Sequence, residues 1–159
     1  MRQSKTNKKF VYLISPNKIR DESFYTDLSH VLSSKKISFF QLRLKKEKNS
    51  NKLIIGKKII GVTCHNSINL AKIATKAGAD YLAFGAFYAS KTKIVKYRAS
   101  LTILKSIKKI TSLPIVAIGG IKLNNYKKLL LNKANFLAIS SYIWNNKKYK
   151  PLEAIKKLK

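Results

Sequence analysis

The sequence predicts a single α/β domain, residues 1–159, built on a parallel sheet of about six strands. Three observations predict it. Short apolar runs alternate with stretches of helical spacing along the chain. The runs are apolar throughout rather than at every second position, which marks strands covered on both faces and hence a parallel sheet. A length of 159 residues at 45% hydrophobic content is enough for one domain with a core. Neither a low-complexity segment nor an interdomain linker interrupts the pattern.

The elements follow in order. KFVYLIS (Lys9 to Ser15) reads as the first strand, and Asp21 to Ser34 as a helix with Phe24, Leu28, Val31 and Leu32 at helical spacing. ISFFQLRL (Ile37 to Leu44) is a strand, Lys52 to Lys58 a short helix, and IIGVTC (Ile59 to Cys64) a strand. Asn66 caps a helix that ends at Gly78, a glycine placed to close it. YLAFG (Tyr81 to Gly85) is a strand. Ser100 to Thr111 is helical, with Leu101, Leu104 and Ile107 on one face. PIVAIGG (Pro114 to Gly120) is a strand, Leu123 to Leu131 a helix and FLAIS (Phe136 to Ser140) a strand. Pro151 to Leu158 closes as a helix with proline in its first turn. Two arrangements fit this order, a doubly wound open sheet and a (β/α) barrel.

Composition narrows the function classes. No apolar run approaches the ~20 residues that cross a bilayer. The run after the basic start is shorter than the ~7–15 residues of a signal-peptide core. Cys64 is the lone cysteine, so no internal disulfide forms, and the expected setting is soluble and cytoplasmic. The net charge of +28 raises nucleic acid as a partner. Against it, the 34 basic residues include four arginines (Arg2, Arg20, Arg43, Arg98), and the lysines are scattered over every segment. Phosphate and base recognition favours the planar arginine fork. No nucleic acid and no membrane is expected, although a positive field speeds the capture of small anions.

In either arrangement functional residues lie just after the strands. After the second strand, QLRLK sets Gln41, Arg43 and Lys45 at period two, on one face. Polar side chains there suit a ligand pocket or a wetted edge. After the fourth, ASKTK (Ala89 to Lys93) offers Ser90, Thr92 and Lys93 in a loop suited to phosphate. After the fifth, Gly119 and Gly120 leave backbone N–H groups at a helix start, a place for an anion. Ile139, Ser140 and Ser141 follow the sixth in the same way.

These stretches together resemble the thiamine-phosphate synthase family, which also holds the thiazole tautomerase. QLRLK is similar to its Gln-x-Arg-x-Lys motif and GVTCHN to its Gly-Val-Ser/Thr-x-His turn. AGADYLAFGAFYASKTK is similar to its Ala-Gly-Ala-Asp-Tyr strand and Thr-x-Thr-Lys loop, and PIVAIGGI and FLAIS to its closing strands. The resemblance covers nearly the whole chain, in order. It implies a TIM-type (β/α)₈ barrel that joins a pyrimidine diphosphate to a thiazole phosphate. Pyrophosphate leaves, and the thiazole nitrogen attacks the resulting carbocation. Carried over residue by residue, it implies that Gln41, Arg43 and Lys45 bind the pyrimidine diphosphate. Thr63 stands near the pyrimidine and leaving group. Ser90, Thr92 and Lys93 hold phosphate oxygens, with Ser90 in place of the usual Thr, and Lys93 stabilises the departing pyrophosphate. Gly119, Gly120, Ile139 and Ser140 hold the thiazole phosphate through backbone groups. Thr63 and Lys93 are the implied catalytic residues. Cys64 and His65 invite a nucleophile or acid–base role, the latter being what a tautomerase would need; a structural role for His65 is preferred.

The resemblance also implies what is absent. The stretch KLIIGKKIIGVTCHN (Lys52 to Asn66) repeats IIG, passing from helix to strand without turn residues. The family carries two further β-α units between the strands that here adjoin, and their aspartates bind Mg²⁺. The expectation is therefore a shortened barrel of about six strands, incomplete or open, with its join near Lys58 and Ile59. The acids are Asp21, Glu22, Asp27, Glu47, Asp80 and Glu153, and Glu47 alone stands near the active face. No metal ligands are assigned, since one carboxylate is a poor Mg²⁺ site. Synthase activity is doubtful on this reading, and a non-catalytic phosphate-binding remnant is the alternative.

Overall fold

In the computed structural model, the residues described are 10–16, 22–41, 59–89 and 97–159. Six strands form one parallel sheet: β1 (Val11–Ile14), β2 (Ile37–Gln41), β3 (Gly61–His65), β4 (Tyr81–Gly85), β5 (Ile115–Ile118) and β6 (Phe136–Ile139). The helices are α1 (Ser23–Ser33), α2 (Ile68–Lys76), α3 (Leu101–Lys108), α4 (Tyr126–Leu131), α5 (Ser141–Trp144) and α6 (Pro151–Lys157). The strand order is β2-β1-β6-β5-β4-β3, so β2 and β3 are the edges and no described pairing closes the barrel.

Each strand divides its side chains between two faces. On one face Leu13, Leu82, Phe84, Ile115 and Leu137 are fully buried against the helices, with Val31, Leu104, Ile107 and Ile155 opposite them. On the other Ala83, Val116 and Ala138 form a smaller cluster with Tyr12, Ile14, Tyr81, Ile118 and Phe136. That inner face is concave. Tyr12 and Tyr81 stand on β1 and β4, three strands apart in the sheet, yet their hydroxyls are 3.2 Å apart. A flat sheet would hold them ~14 Å apart at ~4.8 Å per strand, so the sheet curls into most of a barrel.

Burial on both faces holds for β4, β5 and β6 but fails at the edges. Phe39 and Phe40 on β2 are 38% and 36% exposed, and most of β3 is exposed. An edge strand lacks the neighbour that would cover it. Leu32, expected in the core, is 42% exposed while Val31 beside it is fully buried.

The helix ends are set by local chemistry. The cap of α2 is Ser67 rather than Asn66: its hydroxyl accepts from Leu70 N–H at 3.2 Å. Asn66 instead accepts from Ser100 N–H at 3.2 Å, tying the end of β3 to the start of α3. Gly78 closes α2 at φ +83°, as expected. The fourth helix begins at Tyr126 rather than Leu123, because residues 122–125 form a turn in which Asn125 accepts from Lys122 N–H at 2.8 Å. Pro151 opens α6, and Glu153 reaches back to Lys150 N–H at 3.1 Å. The short α5 was not expected from the sequence. The short helix read at Lys52 to Lys58 lies outside the described residues.

Candidate functional site

The carboxyl ends of the strands make one rim. Three of them are tied together by polar contacts that the sequence did not announce. Ser15, 1% exposed after β1, donates its N–H to the Gln41 carbonyl at 2.9 Å. Its own carbonyl accepts from Ser140 Oγ at 3.2 Å. Trp144 Nε1 donates to the Ile14 carbonyl at 2.7 Å. The Ser140 hydroxyl is thus spent on fixing β6 to β1. Ile139 turns its side chain into the helix-side core at 1% exposure, so only its backbone can serve the rim.

Beside that turn, on the neighbouring strand, lie Gly119 and Gly120, with φ +98° and +61°. Gly119 C=O accepts from Tyr88 N–H at 3.2 Å, and Gly120 C=O accepts from Asn125 Nδ2 at 3.0 Å. Gly120 N–H meets no acceptor among the described residues, whereas Gly119 N–H continues the β5–β6 ladder, in which Ile118 pairs with Ala138. A Cβ on Gly120 would lie 2.4 Å from the Ala89 carbonyl oxygen, so the loop that leads toward Ser90 starts directly over this glycine. The end of β5 therefore presents a backbone donor in a place that side chains are kept out of, which suits an anion.

Gln41 stands in register with Ile14, so its side chain shares the inner face, and it is exposed there. Thr63 stands in register with Ala83, likewise on the inner face and exposed. These two lie on the opposite edge strands of the sheet, whereas Gly119, Gly120, Ile139 and Ser140 come together on neighbours β5 and β6. Arg43, Lys45, Ser90, Thr92 and Lys93 lie outside the described residues.

Cys64 is not a nucleophile at this rim. It is fully buried on the helix side, and burial pushes its thiol pKa up. His65 follows a break in the β3–β4 register, at φ +54°, with its ring centroid 5.0 Å from that of Tyr97. Among the described residues no three His, Cys, Asp or Glu side chains converge as metal ligands. Asp80 belongs to the opposite end of the sheet, where its carboxylate accepts from Ile60 N–H at 2.7 Å. Sequence reasoning missed Ser15, Asn125 and Trp144. A proline after Ser15 and a helix signal too short to score hid two of them.

Comparison with known proteins bears on this geometry. The thiamine-phosphate synthase of Pelagibacter ubique (strain HTCC1062) is 67% identical over 207 aligned positions, covering 100% of each chain. Since this chain has 159 residues, at least 207 less 159, or 48, of those positions face no residue here. The thiamine-phosphate synthase of Nitrosomonas eutropha is 48% identical over 88 residues, 55% of this chain and 42% of that protein. Against it, this chain accounts for less than half of the relative's length. Among solved structures, the thiamine phosphate pyrophosphorylase from Pyrococcus furiosus superimposes with a TM-score of 0.63 at 20% identity, over 96% of this chain and 94% of that one. That likeness shows a TIM-like fold, here without described closure. The tautomerase alternative is not favoured by these matches. No helix among the described residues is long and apolar enough to cross a membrane. The family model for thiamine monophosphate synthase matches residues 46–143, more than half of the chain, and with the full-length relative this shows that the chain belongs to the thiamine monophosphate synthase family.

Proposed function

We propose that this chain is a thiamine-phosphate synthase-type transferase shortened by two β-α units at the join between Lys58 and Ile59. It takes a thiazole phosphate and a pyrimidine diphosphate, and its turnover is low. The observation that carries the reading is the open N–H group of Gly120, in a place that a Cβ would not fit, beside the fixed turn at Ser140. Gly120 N–H, with the backbone at Gly119, Ile139 and Ser140 around it, receives the thiazole phosphate. Gln41, Arg43 and Lys45 hold the pyrimidine diphosphate, with Thr63 near the pyrimidine. Ser90, Thr92 and Lys93 take phosphate oxygens, and Lys93 stabilises the departing pyrophosphate through its charge. Catalysis and binding at these positions rest on the family's pattern together with their places after the strands. The setting is the cytoplasm.

Mg²⁺ is the cofactor the family implies, and the described residues do not fit it. Glu22 and Asp27 lie at and in α1, Asp80 is bonded to Ile60 N–H at the amino end, and Glu153 caps α6. Among the described residues no three acidic, histidine or cysteine side chains come together to hold a metal ion. The 48 or more unmatched positions against the full-length relative are enough for two β-α units. A metal clamp contributes several kcal/mol of charge stabilisation to such a reaction, and each 1.36 kcal/mol is tenfold in rate. Turnover is expected to lie on the order of a thousandfold or more below a full-length relative. The test is thiamine phosphate formation, with and without Mg²⁺, by this chain beside one with two β-α units restored between Lys58 and Ile59. Robust metal-dependent turnover by the short chain would overturn the reading.

A further inference from the structure

The interior of a TIM-type barrel is filled by layers of side chains. Here the inner face instead opens into a partly enclosed cavity of about 320 Å³, lined by Tyr12, Phe39, Tyr81, Val116 and Phe136, with Asp80 at its edge. Tyr81 and Phe136 open their strands, and Asp80 precedes one. The cavity therefore lies toward the amino ends, away from the phosphate rim. Its walls are mostly aromatic. The Tyr12 ring lies 5.6 Å from Phe39 and 6.0 Å from Tyr81, and Phe39 meets Phe136 edge-on at 5.0 Å. An apolar cavity of ~150 Å³ already takes up benzene, and this one reaches the lower end of small-molecule pockets at ~300 Å³.

Two polar features give the cavity a preference. The Tyr12 and Tyr81 hydroxyls share one hydrogen bond at 3.2 Å, and their oxygens keep lone pairs that can accept from an ammonium N–H. Asp80 spends one carboxylate oxygen on Ile60 N–H at 2.7 Å; the other has no partner among the described residues. In a chain of net charge +28, this is a local reversal of sign beside an aromatic box.

We propose that this cavity binds a small aromatic amine, its ring among Tyr12, Phe39, Tyr81 and Phe136 and its ammonium group toward Asp80. The site is separate from the phosphate rim and does not depend on synthase activity. The experiment titrates benzylamine, toluene and benzoate into the intact chain and follows the methyl signals of Ile59 and Val116. Benzylamine and toluene are expected to saturate and shift both signals, benzylamine binding about three- to fivefold tighter, the measure of an exposed ion pair. Benzoate is expected to bind weakest. Asp80→Asn keeps an acceptor for Ile60 N–H and should make benzylamine and toluene equal. Val116→Phe should fill the cavity and remove both; if it fails to fold, the Asp80→Asn comparison still decides. Benzoate binding as tightly as benzylamine is what net charge alone would produce, and it would overturn the proposal. So would toluene leaving the parent's Ile59 and Val116 signals unmoved, or a folded Val116→Phe that binds undiminished.

Discussion

Replacing Gly120 by alanine separates conformational strain from steric strain at the proposed phosphate rim, because Gly78 supplies a control. Both glycines hold positive φ, +61° and +83°. For an L-residue that conformation costs ~1–2 kcal/mol. A Cβ on Gly78 meets nothing within 4 Å, so Gly78→Ala carries that cost alone. A Cβ on Gly120 lies 2.4 Å from the Ala89 carbonyl oxygen and 2.7 Å from that of Tyr88, where ordinary contact begins at 3.4 Å. The loop over it must retreat by about an ångström, and overpacking of this kind adds ~1–3 kcal/mol. Together the terms reach ~2–5 kcal/mol. At ~2–4 °C per kcal/mol for a chain of this size, Gly120→Ala should melt about 4–20 °C lower and Gly78→Ala about 2–8 °C lower. The rim should also lose its ligand. A charge-assisted hydrogen bond from a displaced N–H is worth ~1.5–3 kcal/mol, so thiazole phosphate should bind about ten- to a hundredfold weaker to Gly120→Ala and unchanged to Gly78→Ala. Calorimetry and a thermal melt on both variants decide it. Equal melting temperatures with equal affinities would refute the reasoning.

Two further predictions concern charge and pH. Lys93→Ala should weaken pyrophosphate binding by ~1.5–3 kcal/mol, and Lys147→Ala, at an exposed position, by only tenths; equal losses in calorimetry would mean that bulk charge alone attracts the anion. Burial, then the hydrogen bond to Tyr81, holds the Tyr12 phenol above its ordinary pKa. The unfolded chain therefore releases this proton first, so the associated stability is whole below pH ~10 and is lost as pH rises beyond it. Tyr12→Phe should flatten that alkaline loss, read as urea midpoints at pH 8 and above 10; an unchanged slope would show that other groups cause it.

What was legible in the sequence was what is local. VYLI, YLAFG and FLAI are strands because runs of apolar residues can bury only between two layers, and each was found within a residue or two. Glycine at the end of α2 and proline at the start of α6 fixed those helix ends. Legibility failed where tertiary contacts decide. Ser67 displaced Asn66 as a cap because the Asn66 side chain had a distant partner, Ser100. Phe39 and Phe40 look like core and are half out, because nothing in a strand's own letters says that it stands at an edge. That the Gly-Gly and Ile-Ser-Ser stretches end strands could be read from the apolar runs before them. The contacts that fix the candidate rim could not: Ser140 meets Ser15, and Trp144 meets Ile14, across most of the chain.

The strand order carries a consequence for how the molecule assembles. From β3 through β6 each new strand docks beside the one before it, and β1 and β2 then continue on the far side of β6. Spatial order and chain order thus differ only by a cyclic shift. The seam is held at Tyr126, whose ring stacks on Phe10 and whose hydroxyl bonds the backbone of Lys159. A growing chain must therefore hold its first two strands in reserve until Phe136 to Ile139 have been made, while the later four assemble step by step. Joining the ends and opening the chain between β2 and β3 would turn that deferred docking into a simple succession of neighbours.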